Sequence, residues 1–323
     1  MAQDQKGMKL FYGSSNPELG KEIAKYLGQE PGKILIKKFA NGETYVQLLE
    51  NVRGKNVFLM QTAVEPINDN FMELLIMLDA AKRASVGKII VITPNYFYAR
   101  QDRKSASREP IVAKLVADQL TAAGATRVIT LDLHSDQIQG FFNIPMDNLP
   151  TTQLFKEKAR KIINGSNAED YVVVAPDAGS AKKATKLALS LGIGVAIINK
   201  NRVEHNKAQS LHIIGTSVEN KICFIFDDIL DTGGTLFEGA TLLKKHKAKE
   251  IHAFITHGIF SGAAKGKIDG SMIDTITVTN SLPLNFKSKK IEVLSVAEYL
   301  AKTIQHVNED KSVSALFEES KRE

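Results

Sequence analysis

The chain has 323 residues, of which 43% are hydrophobic and 24% are charged, and its formal net charge is +6. That length favours two domains, and that composition is typical of a soluble globular protein. The positive charge suits anionic ligands; nucleic acid is a weaker interpretation, because aromatic residues do not interleave with the basic ones. The single cysteine, Cys223, excludes a disulfide framework, and no stretch approaches a membrane span. We therefore expect a cytoplasmic protein with no membrane partner.

Strand and helix patterns alternate along most of the chain, which predicts parallel sheets built from βαβ units. Apolar runs predict strands at 9–12, 57–61 and 89–93, with a helix over 18–27 after the first. Asn70 and Glu73 have the spacing of a capping box, which predicts that the next helix begins there and ends near Ala84. A second series of strands is predicted at 128–131, 172–175, 195–198, 222–226 and 251–256.

The polar segment 148–152 separates the two series of strands and is the predicted domain boundary. Thr151 or Thr152 there is expected to cap the first helix of the second half. We predict an N-terminal domain over 8–150, a C-terminal domain over 151–295, and a final helix and tail over 296–323. The tail is expected to return to the first domain.

Residues 222–235 carry the most specific signal for function. A buried strand runs into Asp227 and Asp228, and a loop of small residues, 231–235, follows before a helix pattern. In open α/β sheets, ligands bind at the carboxyl ends of strands, and helix N-termini favour anions. No lysine follows the glycines, which excludes a Walker loop. The pattern predicts a sugar phosphate, and it resembles the phosphoribosyl-diphosphate-binding loop of the type I phosphoribosyltransferase fold.

Two further predicted strand ends in the first half carry charged groups. Segment 98–108 is basic and lacks an apolar period, so it can form a lid over a polyphosphate, although a solvated loop is the alternative. Asp132 and His134 alternate and would share one face of an extended segment. One histidine with nearby acids cannot form a structural zinc site, but it would fit a Mg²⁺ ion completed by substrate phosphates.

Two strand ends in the second half repeat this pattern. Asp177 and Gly179 follow a buried strand and precede a helix, so the carboxylate could hold a metal or a sugar hydroxyl. Lys200 and Arg202 have the spacing that points both side chains the same way on an extended chain, which suits a transferring phosphoryl group. Taken alone, a solvated pair of cations explains that last motif equally well.

Across these motifs the chain resembles the ribose-phosphate diphosphokinase family over essentially its whole length. The matching segments, in order and spacing, are 39–43, 98–104, 107–111, 132–134, 137–142, 176–179, 200–202, 227–235 and 312–317. Ser180 departs from the family pattern, which usually has a second glycine there. The implied fold is α/β, with two type I phosphoribosyltransferase-like domains, each a mainly parallel β-sheet flanked by helices.

The resemblance implies transfer of the diphosphoryl group of Mg²⁺-ATP to the 1-hydroxyl of ribose 5-phosphate. The products would be AMP and 5-phosphoribosyl 1-diphosphate, which serves nucleotide, histidine, tryptophan and NAD biosynthesis. It implies Lys200 and Arg202 as catalytic residues and His134 and Asp177 as Mg²⁺ ligands. For ribose 5-phosphate it implies Arg202, Asp227, Asp228, Asp231, Thr232, Gly233, Gly234 and Thr235. For ATP it implies Phe39, Asn41, Gly42, Glu43, Arg100, Gln101, Asp102, Arg103 and Lys104.

The resemblance also implies a homo-oligomer, usually a hexamer, in which the 41–43 loop reaches a neighbouring subunit's nucleotide. Phosphate and ADP are the implied effectors, and the matching positions are Arg53, Gln139, Asp147, Asn148 and Ser314.

Three other classes of protein are alternatives to this interpretation of the sequence. A plain phosphoribosyltransferase would lack the basic lid and the second domain, a silent regulatory homologue would not need Lys200 and His134, and a nucleic-acid-binding regulator would carry an added DNA-binding element.

Overall fold

The computed structural model describes residues 7–201 and 210–318, and the chain divides into two compact units. The first unit contains the described residues up to Pro150, together with Asn280–Pro283 and the described residues from Ser295 onward. The second contains the described residues of Thr151–Thr279 and Leu284–Leu294. The ranges predicted from the sequence had placed 280–283 in the second unit. In the structure Thr62 Oγ1 donates a 3.0 Å hydrogen bond to the carbonyl of Ser281, which ties this segment to the first unit.

The first unit is built on a parallel sheet in the order β1-β4-β5-β6-β7. The apolar β4 and β5 lie at its centre and are almost wholly buried, as expected for parallel strands covered on both faces. The antiparallel strands β2 and β3 form a separate hairpin. The elements are β1 (Met8–Tyr12), α1 (Pro17–Tyr26), β2 (Ile34–Lys38), β3 (Thr44–Leu48), β4 (Asn56–Met60), α2 (Ile67–Arg83), β5 (Lys88–Ile92), α3 (Val112–Ala123), β6 (Arg127–Leu131) and β7 (Met146–Leu149).

The second unit has a seven-stranded sheet in the order β10-β9-β8-β11-β12-β13-β14. All neighbours are parallel except β10, which pairs antiparallel with β9 at one edge. The elements are α4 (Thr152–Ile163), β8 (Tyr171–Ala175), α5 (Ala181–Leu191), β9 (Gly194–Asn201), β10 (Ser210–Gly215), β11 (Ile222–Leu230), α6 (Gly234–Lys245), β12 (Glu250–Gly258), α7 (Ala264–Lys267), β13 (Thr275–Thr279) and β14 (Ile291–Leu294). The predicted α/β class with mainly parallel sheets is therefore confirmed.

Two C-terminal helices, α8 (Ala297–Asn308) and α9 (Ala315–Glu318), complete the described chain, and α8 packs against α1 in the first unit. Thr151 stands at the N-cap of α4, but its side chain makes no capping hydrogen bond. Its hydroxyl lies 2.8 Å from that of Thr256 instead. No described helix combines the length and the apolar composition needed to span a membrane.

Two further local predictions were wrong, and both failed for tertiary reasons. Helix α2 begins at Ile67, so Asn70 and Glu73 lie inside it, where both side chains are buried in hydrogen bonds and form no capping box. Strand β11 does not end at residue 226 but continues to Leu230, because β12 pairs with it along that length. Asp227 therefore lies within the strand, opposite Ile255.

Candidate functional site

The acidic pair and the small-residue loop of the second unit are held by β11 and α6. Asp228 donates its backbone N–H to Asp227 Oδ1 at 3.0 Å, so the two acids are locally tied. Beyond the strand, the backbone N–H groups of Ile259 and Phe260 donate to the Leu230 carbonyl at 2.9 and 3.0 Å. These bonds fix the point at which the loop leaves the sheet.

Gly233 ends the loop in a conformation that favours glycine. Its φ is +75°, and a Cβ there would lie 2.3 Å from the ring of Phe237. Gly233 is the N-cap of α6, a helix of 12 residues whose first backbone N–H groups have no partner within the helix. Thr232, Gly234 and Thr235 around it are exposed. A helix N-terminus with small exposed residues is suited to hold a phosphate group.

Burial raises the pKa of Asp227 to about 8, with the neighbouring Asp228 as the next cause and Asp177 as a smaller one. A carboxyl group with such a pKa keeps its proton at neutral pH until a cation or a hydroxyl donor stabilises the charged form. The site therefore has one acidic group, Asp227, whose charge depends on what binds there.

The raised pKa of Asp227 predicts that the stability of the second unit depends on pH. Its ordinary pKa is 3.8, so between about pH 4 and 8 the folded chain keeps a proton that the unfolded chain has released. The second unit should therefore lose stability as pH rises through that window. In Asp227→Asn this loss of stability should be smaller. Hydrogen exchange of the β11 amides at several pH values measures this. The control is Glu157→Gln, which changes an exposed acid of α4 and should leave the pH dependence of stability as in the wild type. An equal pH dependence of stability in all three proteins would contradict the prediction.

Asp177 follows β8 and is exposed, but one of its oxygens is already engaged. Oδ1 accepts the backbone N–H of Ser180 at 2.8 Å, and the Ser180 hydroxyl lies 3.0 Å from the same atom. Gly179 sits close by: a Cβ there would lie 3.3 Å from Oδ1. Ser180, which departs from the family pattern, thus orients the carboxyl group by its side chain.

The two predicted catalytic cations are only partly described. The prediction placed Lys200 just after the end of a strand. In the structure it lies within β9, where its backbone is in register with Leu211 of β10. The antiparallel partner extends β9 beyond the predicted end. Arg202 lies outside the described residues.

In the first unit, residues 39–43 form the turn of the β2–β3 hairpin. Phe39 accepts the N–H of Gly42 at 2.9 Å and donates its own to the Glu43 carbonyl at 2.8 Å. Phe39 remains 49% exposed. Lys37 Nζ lies 5.8 Å from that ring and 5.0 Å from the ring of Tyr45, so a cation and two aromatic faces meet at this exposed turn. Asn41, Gly42 and Glu43 are exposed as well.

The predicted lid, 98–108, is an irregular segment whose base is anchored. Gln101 accepts the N–H of Ala113 of α3 at 3.1 Å. Farther along, Glu109 Oε2 accepts the N–H groups of Ser105 and Ala106 at 2.7 and 2.8 Å. The charged residues Arg100, Arg103, Lys104 and Arg108 are exposed, and Asp102 is half-buried.

His134 is exposed in the segment after β6, and Asp132 just before it is half-buried. Asp132 has φ +33°, in the left-handed region that is uncommon for residues other than glycine. Its N–H donates to the Leu149 carbonyl at 3.1 Å. The sharp bend means that 132–134 is not an extended segment, so the predicted common face of Asp132 and His134 is wrong.

The donor set can be compared with the implied Mg²⁺. Within residues 7–201 and 210–318 no group of three or more His, Cys, Asp or Glu side chains could hold a metal by itself. The exposed Asp177 oxygen suits a hard cation, whereas the His134 nitrogen is a less usual ligand. Either group by itself fits Mg²⁺ only where water and phosphate oxygens supply most of the ligands.

The predicted effector residues all lie in the first unit and have protein partners. Asp147 pairs with Arg127 through two hydrogen bonds, and Asn148 bonds to Leu133 and Asp136. The remaining contacts are these: Gln139 Nε2 donates to the Asp136 carbonyl, Arg53 N–H donates to Asn51 Oδ1, and the Ser314 hydroxyl lies 2.8 Å from that of Ser312.

Sequence reasoning missed the residues that support these loops. The bonds of Asn148 to the His134 segment, the position of Glu73 beneath the β1–α1 turn, and the β2–β3 hairpin were not predicted. The apolar run at 34–36 was the available signal for β2, whereas no spacing pattern points to the other two.

Comparison with known proteins gives the family. A family profile described as the N-terminal domain of ribose phosphate pyrophosphokinase matches residues 8–124, and one described as the phosphoribosyl synthetase-associated domain matches 202–318. A ribose-phosphate pyrophosphokinase of Clostridium acetobutylicum is 45% identical over 322 residues, which is 99% of this chain and 100% of the relative. One from Thermotoga maritima is 46% identical over 310 residues, 96% of this chain and 98% of the relative.

A solved structure agrees with these matches. The crystal structure of phosphoribosylpyrophosphate synthetase from Mycobacterium smegmatis superposes with a TM-score of 0.89 and 40% identity, covering 94% of this chain and all of that one. The chain belongs to the ribose-phosphate pyrophosphokinase family, a family of transferases. The resemblance drawn from the sequence motifs is thereby confirmed.

Proposed function

We propose that the protein transfers the diphosphoryl group of ATP to the 1-hydroxyl of ribose 5-phosphate, giving AMP and 5-phosphoribosyl 1-diphosphate. The observation that carries the proposal is the near-complete match to ribose-phosphate pyrophosphokinases at 45% identity. The loop at the N-terminus of α6, beside Asp227 and Asp228, supports a sugar-phosphate ligand. The 5-phosphate would contact the loop N–H groups, and the carboxyl groups would accept ribose hydroxyls.

ATP is assigned to the first unit's exposed turn and lid. Phe39 offers a ring face for the adenine, and Asn41 and Glu43 offer polar atoms beside it. Arg100 and Gln101 at the base of the lid, with Asp102, Arg103 and Lys104, would cover the phosphates. Cations brought over a polyphosphate stabilise the charge that develops during transfer.

The nucleophile is a sugar hydroxyl, so positioning and charge stabilisation are the main tasks of the protein. Lys200 and Arg202 are assigned to the transferring group. His134 and Asp177 are assigned to Mg²⁺, which would neutralise phosphate charge when bound. Ser180 contributes by holding Asp177 Oδ1, which presents the carboxyl group in one orientation.

One assay tests the function. Purified protein with ATP, Mg²⁺ and ribose 5-phosphate should release AMP in equal amount with 5-phosphoribosyl 1-diphosphate. Omitting the sugar controls for ATP hydrolysis. ADP in place of AMP would indicate transfer of a single phosphoryl group, and no reaction at all would favour a silent homologue; either result would overturn the proposal.

Asp227→Asn tests the sugar site. The substitution keeps the shape but cannot take up the charge that a bound ligand stabilises, so we expect a higher KM for ribose 5-phosphate and a nearly unchanged KM for ATP. Steady-state titration of each substrate measures the two constants, with Glu157→Gln as the control. An unchanged KM for the sugar would remove Asp227 from the ribose 5-phosphate site.

We also propose a homo-oligomer, a hexamer by family expectation, with phosphate and ADP as effectors. The exposed 39–43 turn would complete a neighbour's nucleotide site. If so, oligomers mixed from an Asn41→Ala, Glu43→Ala variant and a Lys200→Ala variant should regain activity, because some sites then contain only unchanged residues. Mass spectrometry verifies the mixing, and mixed oligomers without rescue would argue against a shared site.

A further inference from the structure

The segment 259–261, which follows β12, holds the start of the 231–235 loop. Its first two backbone N–H groups donate to the Leu230 carbonyl at 2.9 and 3.0 Å, and its third donates to the Asp231 carbonyl at 3.2 Å. Two successive carbonyl groups are therefore fixed by three successive donors from one short segment.

These bonds also set the direction of the N–H groups with which the loop begins. A peptide unit is planar and trans, so its C=O and its N–H point in opposite directions. The carbonyls of Leu230 and Asp231 face the 259–261 segment, so the N–H groups of Asp231 and Thr232 point away from it. Binding of an anion by backbone N–H groups depends on their direction. The 259–261 segment thus sets the geometry of two donors in a loop assigned to the 5-phosphate.

Phe260, the central residue of this segment, has an uncommon backbone conformation. Its φ is +54°, in the left-handed region, where a bulky residue is an outlier. The backbone angles of Phe260 set the angle between its own N–H and that of Ser261, which donate to successive carbonyls. A residue keeps such a conformation only where its surroundings enforce it.

The surroundings of the Phe260 ring supply that enforcement. Phe260 is 1% exposed, and its ring packs edge-to-face against the ring of Phe286, with 5.1 Å between the centroids. Gly258, the last residue of β12, leaves space for the ring, because a Cβ there would lie 2.5 Å from it. Ile259 and Ser261, on either side of Phe260, are exposed. The Phe260 ring is therefore the anchor of this segment.

We propose that Phe260 is a positioning residue for the 231–235 loop. Its ring fixes the 259–261 segment, and the segment fixes the carbonyls of Leu230 and Asp231. These carbonyls in turn orient the N–H groups that receive the 5-phosphate. The inference rests on the proposed function for the role of the loop. Because the Phe260 side chain has no polar atom, it acts on the ligand only through the backbone.

Hydrogen exchange of the full-length protein, measured by mass spectrometry on a peptide covering 257–262, reports on the donor amides directly. Phe260→Leu keeps an apolar side chain but loses the ring contact, so exchange there should be about two- to tenfold faster, as expected for one aromatic pair. The matched control is Phe224→Leu. Phe224 is fully buried in β11 and its ring stacks on that of Tyr171, so exchange of the 257–262 peptide should stay as in the wild type. Equal exchange in all three proteins would overturn the inference.

Gly258→Ala disturbs the same ring without changing Phe260. The added Cβ would meet Cε2 and Cζ of the ring, so exchange of the 257–262 peptide should again be about two- to tenfold faster. Leucine lacks these two atoms. The double variant, Gly258→Ala with Phe260→Leu, should therefore exchange at a rate close to that of Phe260→Leu alone. Multiplied effects would refute the ring as the shared anchor.

A kinetic readout separates positioning of the loop from general stability. KM for ribose 5-phosphate should rise about two- to tenfold in Phe260→Leu and in Gly258→Ala, as for the weakening of one hydrogen bond. KM for ATP and kcat should stay near their wild-type values in both variants, and Phe224→Leu should change none of these constants. Faster exchange with an unchanged KM for the sugar would refute the positioning role.

Failure of this inference is distinguishable from failure of the proposed function. Wild-type protein that forms no AMP would defeat the proposed function, while the exchange measurements would still decide whether Phe260 anchors the segment. Active wild type, with unchanged exchange in Phe260→Leu and Gly258→Ala, would refute the positioning role alone.

Discussion

Lys200→Ala is expected to lower kcat by about 10²–10³, the usual effect of removing one group that stabilises transition-state charge. Charge moves onto the departing AMP as the diphosphoryl group leaves, and a fixed cation there stabilises the transition state more than the ground state. KM for ATP should therefore change much less than kcat. The backbone of Lys200 is paired with β10 at Leu211. Initial-rate measurements over both substrates give the two constants.

Lys249→Ala is the matched control for this prediction. Lys249 is exposed and immediately precedes β12, at the amino end of the parallel strands, whereas ligands bind at their carboxyl ends. It should retain wild-type kcat. Circular dichroism verifies that Lys200→Ala is folded. Near-normal kcat in the folded variant would refute the role, and a change confined to KM would assign Lys200 to substrate binding only.

The sequence predicted the central parallel strands because they are short continuous apolar runs, as in β4, β8 and the start of β11. It did not predict the strands β2, β3, β7, β10, β13 and β14. Where a strand continues through polar residues, the pattern fails. Asp227 and Asp228 read as a loop, yet pairing with β12 keeps them in the strand. Pairing partners are distant in sequence, so no local pattern contains this information.

The candidate site follows the same rule. Glycines and acids at strand ends point to the 231–235 loop as a candidate site, because ligand position in an α/β sheet follows from topology. The supporting residues are not marked in this way. Asn148 reads as part of a polar domain boundary and Glu73 as a helix cap, and only the folded chain places each beneath a turn. Their roles depend on contacts about 15 and 59 residues apart, respectively.

Glu73 and the β1–α1 turn form a buried polar cluster in the first unit. Glu73 Oε1 accepts the N–H of Ser14 and Nε2 of Gln61, each at 2.7 Å, and Oε2 accepts the Ser14 hydroxyl at 2.7 Å. Gln61 Oε1 in turn accepts the N–H of Ser15 at 3.1 Å. Gly13 leaves room for the cluster, since a Cβ there would lie 2.5 Å from the oxygens of both side chains.

Glu73→Ala should therefore lower the unfolding free energy of the first unit by about 3 kcal/mol, because it removes three hydrogen bonds and leaves the buried Gln61 amide without one acceptor. Glu73→Gln, which retains an acceptor oxygen, should lose less. Hydrogen exchange of the β1 and β4 amides measures the change in this unit. Glu18→Ala is the control: it removes only an exposed ion pair with Lys21, worth less than about 1 kcal/mol. If Glu73→Ala were no more destabilising than Glu18→Ala, the cluster would not hold the turn in place.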